Sequence, residues 1–307
     1  MPKASSRRIS QPSVSIVGSG RLGTALAMAL SEAGYRVDAV ATRRRASARK
    51  AAALVDRVML VLTANQLEDL PPSKILLIAT PDDEIPRTVK SLAKSQNSPV
   101  RGRFVLHTSG ALSSAVLEPL ARMGFHTGSL HPLVSISDPR TGYQNLRGAY
   151  YCVEGDAAAT RLARGIVRDL KGQSFFISSR NKPLYHAAAV MASGHVVALF
   201  DLAIEMLVQC GLARKQARRV LLPLLQSTVR NLLTSEPTHA LTGTFARGDI
   251  ATVQRHLQVL SADGLSEALQ AYKLLGARSL ELASKNAIDP KLLSRIKQAL
   301  VPGATKK

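Results

Sequence analysis

Short aliphatic and β-branched runs alternate with longer amphipathic stretches as far as about Ile177, and beyond that point the runs stop. The runs at 14–17, 37–41, 58–62, 75–79, 104–106, 127–130, 150–153 and 174–177 predict β-strands. The segment 22–33 has the spacing of a helix, and most of the other gaps read the same way. Alternation of this kind predicts an α/β unit, a mostly parallel sheet with helices on both faces. From Pro183 onward every segment reads as helix: a long one through about Gln209, then 215–233, 250–260, 266–283 and 290–300. Gly211, Pro237, Gly243, Gly248 and Gly264 punctuate them. The expected organisation is an α/β domain over 1–179 and an all-helical domain over 180–307, with no internal repeat and no low-complexity tract.

The first chemical motif is Gly18-Ser19-Gly20-Arg21-Leu22-Gly23, directly after the first strand and at the opening of the first helix. In that context Gly18 permits the tight turn, Gly20 lets the backbone approach a pyrophosphate, and Gly23 allows close packing of helix on strand. The helix N-terminus adds N–H groups and a positive dipole end. This is the signature of a Rossmann-type dinucleotide domain. The cofactor depends on what ends the second strand, an acid for the ribose hydroxyls of NAD or arginine for the 2′-phosphate of NADP. Here the strand runs into Thr42-Arg43-Arg44-Arg45, which favours NADP. Asp38 competes by its distance from the first glycine, but it falls mid-strand.

Three further polar clusters follow strands: Thr80-Pro81-Asp82-Asp83, His107-Thr108-Ser109-Gly110 and His131-Pro132-Leu133. Ligands of open α/β sheets lie outside the carboxyl ends of the strands, so these loops are expected to converge beside the dinucleotide. Of these residues His131 is the best placed to orient a carbonyl or relay a proton, and Ser109 is a second candidate. Asp82 and Asp83 also suit a helix N-cap.

These motifs, with Ser129-Leu130-His131-Pro132-Leu133, Lys182-Pro183-Leu184-Tyr185-His186-Ala187-Ala188-Ala189, Ala240-Leu241-Thr242-Gly243 and Ala246-Arg247-Gly248-Asp249, run through nearly the whole chain. Together they resemble the Rossmann-like proteins of uncharacterised function related to pyrroline-5-carboxylate reductase, prephenate dehydrogenase and the β-hydroxyacid dehydrogenases. The resemblance implies an NADP-binding domain, a helical domain like the C-terminal domain of 6-phosphogluconate dehydrogenase, and a homodimer. It implies a catalytic lysine at the start of the first long helix with a polar partner one turn later, a spacing that Lys182 and His186 reproduce. Two positions depart from the pattern. Ser193-Gly194 stands where asparagine is common, which puts a polar substrate contact in doubt, and Thr244 replaces a proline in a turn.

Composition narrows the functional classes. A chain of 307 residues that is 46% hydrophobic can bury a full core. Two cysteines, Cys152 and Cys210, supply neither a disulfide framework nor a zinc knuckle, and no metal site is expected. Residues 1–11 are basic and lack an apolar core, so no signal peptide is expected, and a very short transit peptide is the remaining alternative. The longest apolar stretch, 187–200, is interrupted by Ser193, Gly194 and His195 and falls short of the ~20 residues a membrane span needs. A cytoplasmic protein is the expectation. The net charge of +20 raises nucleic acid as a partner, but 4% aromatic residues and no Trp leave few stacking platforms. The sequence therefore reads as an NADP-dependent oxidoreductase acting on a small carbonyl, imine or hydroxy acid. The alternatives are an NADP-binding sensor without turnover and a nucleic-acid binder.

Overall fold

The computed structural model describes residues 12–55, 59–95, 100–262, 264–286 and 289–300. The expectations for residues 1–11, and for position 58 at the start of the third strand, lie outside them. The chain forms two compact units, Met1–Ala192 and Ser193–Lys307. The division falls after the expected boundary at 179, because the helix Lys182–Ala192 belongs to the first unit.

The first unit is built on eight strands: β1 (Ser13–Val17), β2 (Arg36–Thr42), β3 (Leu60–Thr63), β4 (Ile75–Ile78), β5 (Phe104–His107), β6 (His126–Pro132), β7 (Tyr150–Gly155) and β8 (Gln173–Phe175). They lie in the order β3-β2-β1-β4-β5-β6-β7-β8. All neighbours are parallel except β6 and β7. Helix α1 (Arg21–Glu32) follows β1, α2 (Arg45–Ala52) follows β2 and α3 (Ile85–Ser95) follows β4. Successive strand residues face opposite sides, so Val14 and Ile16 join a core with Leu26 and Leu30 of α1. Val17, Leu76 and Ile78 join a second core with Val89 and Leu92 of α3. Burial on both faces explains why the strands read as nearly continuous apolar runs.

The reversal of β7 matters for the site. Antiparallel register sets Ser129 opposite Glu154 and His131 opposite Cys152. Directly opposed residues share a sheet face, as do residues two apart on one strand, so these four side chains stand on the same face.

The second unit is helical, with helices Gly194–Gln209, Arg214–Thr234, Ile250–Leu260, Ser266–Ala283 and Pro290–Leu300. Its buried cluster is small: Val253, Leu280, Ile296 and Leu300, with Phe245 and Tyr272 against it. Large apolar side chains remain outside, among them Val197, Leu224, Leu233 and Leu274. The single long helix expected from Pro183 to Gln209 is two, because Ser193 leaves helical geometry (φ −127°, ψ −78°) between Ala192 and Gly194. The sequence reading took that interruption to exclude a membrane span. By length and composition alone, however, the helical run Ser179–Gln209 is apolar enough to cross one, with only 6% of its most apolar window buried.

Candidate functional site: a dinucleotide cleft and a histidine pair

The loop after β1 needs its glycines for geometric reasons. Gly18 has φ +102°, and a Cβ there would lie 2.6 Å from the Ala79 carbonyl oxygen. A Cβ on Gly23 would drive into the Gly18 carbonyl. Gly20 faces open space, with nothing within 4 Å of an added Cβ. That opening lies at the N-terminus of α1, whose first-turn N–H groups lack helical partners.

Beside it is a cavity of about 520 Å³ lined by Gly18, Gly20, Thr42, Arg43, Thr80 and Pro81, and also by Asn65, Glu84, Arg87 and Thr88. Six of the twelve expected cofactor residues thus share one cleft. Ser19 and Arg21 line an adjoining groove that also includes Gly20. Leu22 packs against the core and Gly23 is buried beneath the loop. Arg44 is exposed at the start of α2, and Asp82 is bound elsewhere, as described below. Two hydroxyls near the cleft are buried without a partner, Ser19 Oγ and Thr80 Oγ1. Buried polar atoms are normally paired, so these two are provisioned for a ligand with acceptor or hydroxyl groups. An open cradle at Gly20, two orphaned hydroxyls and a neighbouring arginine fit a dinucleotide.

Asp38 is not part of this cleft. It accepts hydrogen bonds from Arg36 Nε (2.6 Å) and Ser73 Oγ (2.6 Å), and Ser73 is linked in turn to Ser15 at 2.8 Å. Burial raises its pKa, but those donors outweigh burial and the net shift is downward. The carboxylate is a structural anion in the first half of β2, away from the strand end where a ribose would lie.

The loops after β4 and β5 are joined by a hydrogen bond from Ser109 Oγ to Asp82 Oδ2 (2.7 Å). Ser109 Oγ in turn accepts the N–H groups of Ala111 (3.1 Å) and Leu112 (2.9 Å). Its proton and its lone pairs are thus engaged in holding the turn, at the position of the expected catalytic Ser109. His107 is wholly buried and accepts the Ser109 N–H on Nδ1. Burial, aided by the Lys182 charge, pushes its pKa down to about 3.

Lys182 was expected to point into the cleft beside His186. Its side chain is instead 0% exposed, and Nζ donates to Ser129 Oγ (2.6 Å), the Ser109 carbonyl (3.2 Å) and Glu154 Oε1 (3.3 Å). An ammonium with three protein acceptors and no solvent contact has no free proton to offer a ligand. Burial lowers its pKa and the neighbouring Glu154 carboxylate opposes that shift. Glu154 is satisfied from its other side by Ser114, whose N–H and hydroxyl both donate at 2.8 Å. The network ties β5, β6, β7 and the helix Lys182–Ala192 together.

His131 and His186 do meet. Their rings pack edge to face with centroids 5.5 Å apart, and His131 Nδ1 lies 2.7 Å from the Tyr185 hydroxyl. Both rings close over Gly110: a Cβ there would lie 2.8 Å from His131 Nε2 and closer still to His186 Nδ1. The buried His186 Nδ1 has no partner. Burial, then the nearby His186 and Lys182, lower the His131 pKa to about 4, so its imidazole is neutral at pH 7. Burial raises the Tyr185 phenol, which stays protonated.

Sequence reasoning did not single out Glu154, Tyr185, Asn65, Glu84 or Arg87. Tyr185 lay inside a quoted motif and Glu154 fell just past the strand predicted over 150–153, so position alone marked them. Nothing in the pattern marked the other three.

The fold and the cleft define a Rossmann-type domain joined to a helical one. Comparison with known proteins agrees: residues 1–132 match a Rossmann-like domain and residues 149–279 match a domain of unknown function, DUF2520. A search of curated protein sequences returns no match. Among solved structures, the chain is similar to a proposed NADP oxidoreductase from Bacteroides fragilis, with TM-score 0.73, 24% identity and 89% of this chain covering 99% of that one. It is also similar to an NADP-bound pyrroline carboxylate reductase from Plasmodium falciparum (TM-score 0.57, 14% identity, 93% and 98% covered). A prephenate dehydrogenase from Aquifex aeolicus follows (TM-score 0.51, 16% identity, 85% and 97% covered). At these identities the likeness is one of fold.

Proposed function

We propose that the protein is an NADP-dependent oxidoreductase acting on a small carbonyl, imine or hydroxy acid. The observation that carries this reading is the open cradle at Gly20, flanked by the orphaned hydroxyls of Ser19 and Thr80 and by Arg43. The α1 N-terminus and Gly18–Gly23 loop hold the pyrophosphate, Thr80 and Pro81 hold the ribose side, and Thr42, Arg43 and Arg44 surround the 2′-phosphate. A nicotinamide held there would supply hydride transfer. His131 and His186 handle the accompanying proton, with Tyr185 holding the His131 ring. Lys182 positions Ser109 and Ser129 beneath them. Support comes also from two of the similar structures, one a proposed NADP oxidoreductase and the other a pyrroline carboxylate reductase with NADP bound.

On this reading NADPH binds at least about tenfold more tightly than NADH, and Arg43→Ala removes most of that difference. Fluorescence titration of both cofactors checks it, and equal affinities in the intact protein would sink the NADP assignment.

The helical unit has a small buried core and leaves large apolar side chains such as Val197, Leu224 and Leu233 exposed. A homodimer through these helices is therefore part of the proposal, in a soluble cytoplasmic protein whose exposed thiol at Cys210 is unpaired. Light scattering at micromolar concentration is expected to give twice the chain mass. A monomer that partitions into lipid vesicles would assign the apolar run to a bilayer instead.

A further inference from the structure

The cleft contains three charged side chains from two different loops. Arg43 follows β2, whereas Glu84 and Arg87 come from the start of the helical segment after β4, and all three line the same cavity. Glu84 Oε1 lies 3.9 Å from Nη1 of Arg43, whose side chain is 78% exposed against 29% for Glu84. Glu84 and Arg87 are three residues apart on a helical turn, a spacing that makes them neighbours on one face. Among the described residues Arg87 forms no ion pair.

A phosphate monoester carries a charge of about −1.5 to −2 near neutral pH. Placed in this cavity it meets two guanidinium groups and one carboxylate. The carboxylate repels it and stands 3.9 Å from the guanidinium of Arg43. Ribose hydroxyls carry no charge and are indifferent to the arginines, yet they donate well to a carboxylate. The same three side chains therefore act in opposite directions on the two nicotinamide dinucleotides.

We propose that Glu84 and Arg87 determine cofactor specificity, with Glu84 biasing the cleft against the 2′-phosphate that Arg43 and Arg87 jointly attract. The inference rests on the reading of this cleft as the adenosine end of a dinucleotide site. NADPH and NADH are titrated against the full-length protein, Glu84→Gln and Arg87→Ala, with thermal melting as the folding control. Both side chains are at the surface, so the melting temperature is expected to hold. Glu84→Gln is expected to tighten NADPH by roughly fivefold, the ceiling for an exposed ion pair, and to leave NADH unchanged or weaker. Arg87→Ala is expected to weaken NADPH by about tenfold, the loss of a hydrogen bond to a charged group, while NADH stays within about twofold. Glu84→Gln binding NADPH no better, or Arg87→Ala weakening both cofactors alike, overturns the inference. Failure of the intact protein to bind either cofactor overturns the reading of the cleft itself, a result distinct from both.

Discussion

Lys182→Ala is expected to lower the stability of the first unit by about 3–5 kcal/mol, the cost of leaving one member of a buried ion pair uncompensated. Glu154 is 3% exposed and Lys182 is its only cationic partner among the described residues, so the carboxylate would be left buried without a counter-charge. Loss of the lysine also removes a donor from Ser129 Oγ and from the Ser109 carbonyl, leaving them only the long bond between them (3.4 Å). Urea unfolding followed by circular dichroism measures the change. The double variant Lys182→Met with Glu154→Gln recovers much of the loss, because it removes both charges and keeps most of the volume. A Lys182→Ala protein as stable as the intact one would show that the network does not hold the strands together. NADPH affinity is expected to change little in either variant, since Lys182 does not line the cofactor cavity.

The strands and helices were legible in the sequence because each carries a local signal. Both cores are sealed on two faces, so β1, β4 and β5 read as plain apolar runs, and Gly18 to Gly23 stands where one strand turns into one helix. Partnership across the sheet carries no such signal. Nothing in residues 150–155 announces that β7 runs against β6, yet this reversal alone brings Glu154 opposite Ser129 and creates the receptor for Lys182. Helical spacing correctly set Lys182 and His186 one turn apart. It could not show that the lysine chain ends beneath the sheet loops while the imidazole stops above Gly110. The arginines after β2 were visible as a run of like charge; the opposing Glu84 comes from a different loop more than forty residues later.

The second large effect concerns turnover. His131 and His186 are the described polar side chains that converge on Gly110, and one unpartnered nitrogen remains on His186. On the proposed function a proton leaves or joins the substrate as the hydride moves, and a neutral imidazole near the reacting atom is suited to take it. His131 stays neutral above a pKa of about 4, and its bond to Tyr185 fixes the ring so that Nε2 faces Gly110. Removing either imidazole, by His131→Gln or His186→Ala, is expected to slow turnover by a factor of about 10² to 10⁴ with NADPH affinity nearly unchanged. Gly110→Ala should do comparable damage while keeping both histidines, because the new methyl would displace the His131 ring, met at 2.8 to 2.9 Å, and the His186 ring, met closer still. The three variants are assayed on whichever carbonyl, imine or hydroxy acid supports NADPH turnover in a substrate screen, alongside cofactor titration. Full turnover in both histidine variants would remove the pair from the chemistry. If Gly110→Ala alone were silent, the rings would be free to move aside for the methyl, and their close approach to Gly110 would not be needed for turnover.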